Sequence, residues 1–317
     1  MAGIDRRTAI LTGIGAVLAG PALAAKVASI KTTEVLSGYT VAINDLSPRF
    51  LDFYAAAQGL DPDARFAAWQ ERYGFAAVPP GPRGDAIARR LLDQAWPRYP
   101  DALGIIHAGA AGMRPRPLDV LVKVAALLRA AAPVTVKVVA YVGGFETNAF
   151  TAGDETGVTV AVPIEMDVGQ RTLILPHEMT HAVHMLVGGL SRGYERSLGR
   201  VIFEEGLAMH AARHIAPGHD VYEYVGEKAW FDQGMARKRE ILTALAPVLD
   251  RNDYESVFKF TMGQGDTGME REAYIAGWLV VGRLLNAGAT LPQLARVPEG
   301  DIPAKVAEAI KGLLAQT

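Results

Sequence analysis

His177-Glu178-Met179-Thr180-His181 reads H-E-x-x-H, two histidines four apart with a glutamate beside the first. On a helix, residues i and i+4 lie on one face about one turn apart. Two imidazoles so placed can take two corners of a Zn2+ tetrahedron, with bonds of roughly 2.0–2.1 Å. Glu178 is rotated about 100° from His177. It can therefore stand beside the metal without ligating it, where the general base for an attacking water has to be. The motif requires a helix and a third ligand.

The surrounding residues predict both. Leu173, Ile174, Leu175, Met179, Ala182, Val183, Leu186 and Val187 recur at helical spacing. Pro176 is expected in the first turn, where its missing N–H costs least, and Gly188-Gly189 ends the helix. Downstream, Phe203-Glu204-Glu205-Gly206-Leu207-Ala208 falls on a predicted helix from about Gly199 to His214. Val201, Glu205, Ala208 and Ala212 share one face of it. A carboxylate on a buried stripe is costly unless it is paired or metal-bound, so Glu205 is the candidate third ligand. Glu204 points about 100° away and is its competitor. Twenty-three residues separate His181 from Glu205, enough for a turn and a second helix packing back on the first. His184 would sit about 10 Å along the axis from His177, too far for three histidines around one ion, so it reads as a buried neighbour. His210 and His214 are four apart but lack a partnering carboxylate pattern, and read as helix-surface residues.

H-E-x-x-H followed by E-G-L-A on a second helix resembles the gluzincin metallopeptidases. More narrowly, the chain resembles a bacterial family of predicted zinc-dependent proteases. Supporting stretches are Asn44-Asp45-Leu46 with Arg49 to Tyr54 and Phe66 to Phe75, Val134 to Gly144 with Gly157 to Glu165, and Tyr274 to Val281. The resemblance implies a zincin-like α+β fold: a small mixed sheet with an edge strand before the metal helix, then a mainly helical C-terminal part. It implies one Zn2+ per chain on His177, His181 and Glu205, with Glu178 as catalytic base. It implies that Tyr274 stabilises the oxyanion, with His210, His214, Tyr194 and Tyr224 as competitors. It also implies that an edge strand, matched by Thr156 to Pro163, takes a substrate chain by main-chain pairing; the same segment reads equally as an internal strand. A carboxylate orienting one of the zinc histidines is expected, with Glu204, Asp154 and Asp167 as candidates.

Of the 317 residues half are hydrophobic, and the net charge is −2. That is enough chain for a sizeable core, and the near-neutral balance argues against a nucleic-acid partner. Residues 1–25 read as a signal peptide: Arg6-Arg7 precedes an apolar run from Ile10 to Leu18, and Ala22-Leu23-Ala24 is an A-x-A cleavage site. The arginine pair favours the twin-arginine route. With no cysteine, a lipid anchor and disulfides are both excluded. The expectation is a periplasmic or secreted protein, with no stable membrane anchor after cleavage.

The rest, residues 26–317, reads as one metallopeptidase-like unit, α/β over 26–189 and helical over 190–317. Val35 to Leu46 is expected to give one or two strands. Asp61-Pro62 starts a helix, and another runs to Trp96. Pro97 to Pro117 resists assignment, and Leu118 to Ala131 reads as helix. Val134 to Val142 and Val158 to Pro163 are β-branched strands joined by a glycine-led loop. Further helices are expected over Val221–Trp230, Met235–Leu249, Glu270–Asn286 and Pro303–Leu314. The leading expectation is zinc-dependent hydrolysis of peptide or protein substrates. Its rivals are a non-catalytic periplasmic binding or assembly factor on the same scaffold, and a zinc amidase acting on a non-peptide substrate.

Overall fold

In a computed structural model, which describes residues 27–78, 81–192 and 196–316, the first elements are strands β1 (Ile30–Leu36) and β2 (Tyr39–Asp45), paired antiparallel. Ser37 and Gly38 between them take φ of 51° and 84°, a two-residue turn whose twist suits a hairpin. Five helices follow: α1 (Ser47–Ala56), α2 (Pro62–Arg72), α3 (Pro82–Ala95), α4 (Tyr99–Ala108) and α5 (Pro117–Leu127). Asp61 caps α2 by accepting from the Asp63 and Ala64 amides, as the Asp-Pro pair predicts. β3 (Val134–Tyr141) then returns parallel to β2. β4 (Phe150–Asp154) and β5 (Gly157–Pro163) complete a five-stranded mixed sheet of order β1-β2-β3-β5-β4.

β5 pairs parallel to β3 and has β4 on its other side. Of the two readings of Thr156 to Pro163, the internal strand is therefore the one observed, and the sheet's edges are β1 and β4. Six of the seven residues of β5 are buried, the signature of a strand covered on both faces.

α6 (Val168–Val187) carries the H-E-x-x-H motif. It starts earlier than its apolar spacing suggests, because Asp167 Oδ1 accepts the Gly169 amide at 2.8 Å and opens the helix there. Pro176 is consequently inside the helix and not in its first turn. At the other end Gly189 takes φ 59°, and the Leu190 amide reaches back to the Met185 carbonyl at 3.2 Å, the αL stop that Gly188-Gly189 predicts.

Helices complete the chain: α7 (Leu198–Ile215), α8 (Val221–Val225), α9 (Lys228–Ala236), α10 (Lys238–Leu245), α11 (Tyr254–Thr261), α12 (Glu272–Asn286), α13 (Leu291–Leu294) and α14 (Ile302–Leu314). Among the described residues no helix is long and apolar enough to cross a membrane. The signal-peptide reading of residues 1–25 lies outside the described residues.

The chain divides into two units. One comprises the residues up to Val120 with Ala132–Ala152 and Thr156–Leu175; the other comprises Leu121–Ala131, Gly153–Glu155 and the residues from Pro176 on. In the first, Phe50 is the hub of a buried aromatic cluster, edge-on to Phe53, Tyr73 and Tyr99 at centroid distances of 5.7, 5.4 and 4.8 Å. In the second, α7 is the central helix, and every residue from Leu198 to Met209 is buried. α7 meets α12 backbone to backbone at a pair of glycines. A Cβ on Gly206 would stand 2.2 Å from the Gly277 carbonyl oxygen, and one on Gly277 would stand 2.6 Å from the Ile202 carbonyl oxygen.

Candidate metal centre

α6 and α7 bring His177, His181 and Glu205 to one point inside the second unit. His177 Nε2 lies 3.0 Å from His181 Nε2 and 3.1 Å from Glu205 Oε2, and His181 Nε2 lies 3.6 Å from Glu205 Oε1. All three residues are buried. One ligand atom from each can be chosen so that the set spans at most 4.8 Å. Atoms bound tetrahedrally to one ion by bonds of about 2.0–2.2 Å stand roughly 3.3–3.6 Å apart. One observed spacing, 3.6 Å, falls in that range and the other two, 3.0 and 3.1 Å, lie slightly below it; two imidazoles with a carboxylate form a donor set suited to a divalent cation. The cluster could therefore hold a metal ion. It is the only group of three or more such side chains among the described residues.

The electrostatics agree with the geometry. Burial pushes the Glu205 carboxyl up, but the His181 and His177 imidazoles outweigh it and hold the group well below the usual carboxylate range. Glu205 is therefore the anion a cation site needs. Glu178, one residue after His177 on α6, is fully buried. Thr180 Oγ1 donates to the Pro176 carbonyl at 2.7 Å, keeping the remaining polar group of the motif satisfied within the helix.

Glu204, the competitor for the third position, is also buried but engaged elsewhere. It accepts Arg196 Nη1 at 2.9 Å and Arg200 Nε at 2.7 Å. Burial acts to raise its pKa, and the two guanidiniums bring it below the ordinary value. Of the other carboxylates considered as orienting groups, Asp154 is exposed, and Asp167 is exposed and spent on opening α6.

His184 stands apart from the cluster. Its Nε2 is buried with no hydrogen bond among the described residues, and burial pushes the imidazole down to about 4, so it is neutral at physiological pH. His210 is packed rather than displayed: its ring stacks on Trp278 at 4.0 Å, and Nε2 sits 3.0 Å from the Trp278 carbonyl. That corrects its reading as a surface residue. His214 is exposed, as expected.

Tyr274 is buried on α12, with the Arg271 guanidinium 4.5 Å over its ring. It lies three residues before Gly277, the contact point with α7. Tyr224 is committed to structure, because its hydroxyl donates to the Ala216 carbonyl at the end of α7 at 2.6 Å. Tyr194 lies outside the described residues.

Sequence reasoning missed the anchoring of Glu204. The Arg200–Glu204 pair has i,i+4 spacing, a readable signal. Its continuation to Glu299, 99 residues away, leaves no local mark. Compared with known family models, curated proteins and solved structures, the chain shows no significant match to any of them.

Proposed function

We propose that the protein is a zinc metallopeptidase of gluzincin type, hydrolysing peptide bonds in protein or peptide substrates. The observation that carries the reading is the convergence of His177, His181 and Glu205, whose ligand atoms come close enough together to share one ion. Two nitrogens and one carboxylate oxygen suit zinc, and catalytic zinc sites use three protein ligands and keep a fourth position open. A site with only a structural role has no need of the adjacent Glu178. The export reading of residues 1–25 supports a periplasmic or secreted setting.

Zinc held there would supply Lewis acidity, polarising a water molecule and the scissile carbonyl. Glu178 takes the proton of the attacking water and passes it to the leaving nitrogen as the C–N bond breaks. Its burial keeps bulk water from competing for that proton. Tyr274 donates a hydrogen bond to the carbonyl oxygen as negative charge develops on it.

Glu178→Gln tests the assignment. The variant is expected to retain one zinc per chain by metal analysis and to lose cleavage of casein by at least a hundredfold. A variant that cleaves casein as fast as the parent protein removes Glu178 from the mechanism. A parent protein that binds zinc but cleaves no peptide in a broad library favours a binding role instead.

A further inference from the structure

We propose that Arg200 and Arg196 are positioning residues for Glu205: by holding the adjacent carboxylate of Glu204 away from the imidazole pair, they leave Glu205 as the carboxylate that α7 presents to the metal. The inference rests on reading His177, His181 and Glu205 as the metal centre.

The sequence Glu204-Glu205 creates a problem that the fold has to solve. Two buried carboxylates in consecutive positions repel each other, and either could serve as a ligand. α7 turns them about 100° apart, but rotation of a helix by half that angle would present both. Glu204 is fixed by two guanidiniums, Arg196 Nη1 at 2.9 Å and Arg200 Nε at 2.7 Å. Both Arg200 and Glu204 are buried.

Arg200 does a second thing with its other nitrogens. Nη2 donates to the Ser191 carbonyl at 2.8 Å, and Nη1 donates to Ser191 Oγ at 2.6 Å and to Glu299. Glu299 in turn accepts the Ser191 amide and hydroxyl at 2.7 and 2.6 Å. Ser191 lies two residues beyond Gly189, the stop of α6, the helix carrying both histidines. One guanidinium thus holds Glu204 against its own face of α7 and, through Ser191 and Glu299, ties the first turn of that helix to the chain leaving α6. Arg196 and Arg200 balance Glu204 and Glu299 in charge.

Stability alone is a weak reason for such a network. Buried ion pairs are commonly replaceable by apolar side chains of similar volume without loss. What apolar packing cannot do is bind one carboxylate in preference to its neighbour.

The test uses the protein loaded with Co2+, whose visible absorption reports coordination number and ligand set. Arg200→Gln releases Glu204. It is expected to weaken metal affinity about 10–100-fold and to change the visible bands as a second carboxylate reaches the ion. Arg200→Gln combined with Glu204→Gln removes the rival charge and is expected to restore the parent bands, even where thermal stability stays lowered. Should Arg200→Gln fail to fold, Arg196→Gln, which removes the Arg196–Glu204 ion pair, is expected to shift bands and affinity in the same direction to a smaller extent. Folded variants with the parent's bands and affinity overturn the positioning role and leave the metal centre standing. A parent protein with no Co2+ bands overturns the metal centre and this inference with it.

Discussion

Glu204 and Glu205 carry the same functional group one residue apart, yet the fold gives them different partners. Glu205 is held ionised by imidazoles and Glu204 by guanidiniums. At this scale the motif was readable because helix geometry converts spacing into direction: four residues put His177 and His181 on one face, and a buried stripe singled out Glu205. What spacing cannot supply is the partner of a side chain on another element, and so Glu299 and Ser191 went unseen. The same limit applies to Tyr274, placed by resemblance, which the structure buries on α12. If its phenol donates to the developing oxyanion, Tyr274→Phe is expected to lower kcat about 10²-fold or more while leaving KM and zinc content near the parent's. An unchanged kcat with an altered melting temperature assigns Tyr274 to the core instead.

The elements that carry the site were legible where apolar periodicity was strong and were missed where it was interrupted. β3 and β5 declare themselves by β-branched residues, and α7 by its stripe. β4, Phe-Thr-Ala-Gly-Asp, has too little of either pattern to read as a strand. α4 is masked by flanking proline and glycine, and α11 lay in a stretch with no apolar run long enough to flag it. The start of α6 is hidden for the same reason: Gly169 to Thr172 are polar or small and give its first turn no apolar mark. Gly206, the residue after Glu205, has a role that the motif alone does not explain. It is where α12 approaches α7 so closely that a methyl group would meet the Gly277 carbonyl oxygen at 2.2 Å and Val281 Cγ2 at 2.6 Å. Gly206→Ala would gain about 0.5–1 kcal/mol in helix propensity. The clash is with backbone, which cannot rotate away, and overpacking of this kind costs about 1–3 kcal/mol or more. The clash prevails, so Gly206→Ala is expected to be destabilised in urea unfolding. A variant as stable as the parent would mean that α12 can retreat from α7 freely.

Across the whole molecule the two units hold their buried charges differently. The second pairs Glu204 with arginines and Glu205 with histidines. The first sets a buried carboxylate, Glu165, beside a half-buried one, Glu146. Glu165 accepts the Gly143 amide at 3.0 Å and the Phe145 amide at 3.3 Å, and Glu146 accepts the Gly144 amide at 2.5 Å in the same loop. Burial, and then the negative charge of Glu146, push the Glu165 carboxyl up to about 7, while the loop amides act in the other direction. Tyr73 and Tyr99 nearby are buried with their own pKa values raised, so neither offers a countercharge. The folded value lies above the ordinary 4.5, so folding favours the protonated acid. That contribution is complete below about pH 4.5 and is lost as pH rises through about 7, where a buried carboxyl has to ionise. The shift corresponds to a few kcal/mol at most. Glu146, also raised mainly by burial, acts with the same sign, whereas Glu204, lowered, contributes stability that is lost towards acid. Comparing the parent with Glu165→Gln isolates the first effect. The parent's unfolding free energy is expected to fall relative to the variant's between pH 5 and pH 8. The variant should become the more stable of the two by about 1–3 kcal/mol at pH 8. Urea titrations at each pH measure this, and curves that stay parallel over that range would show that Glu165 ionises at no cost to the fold.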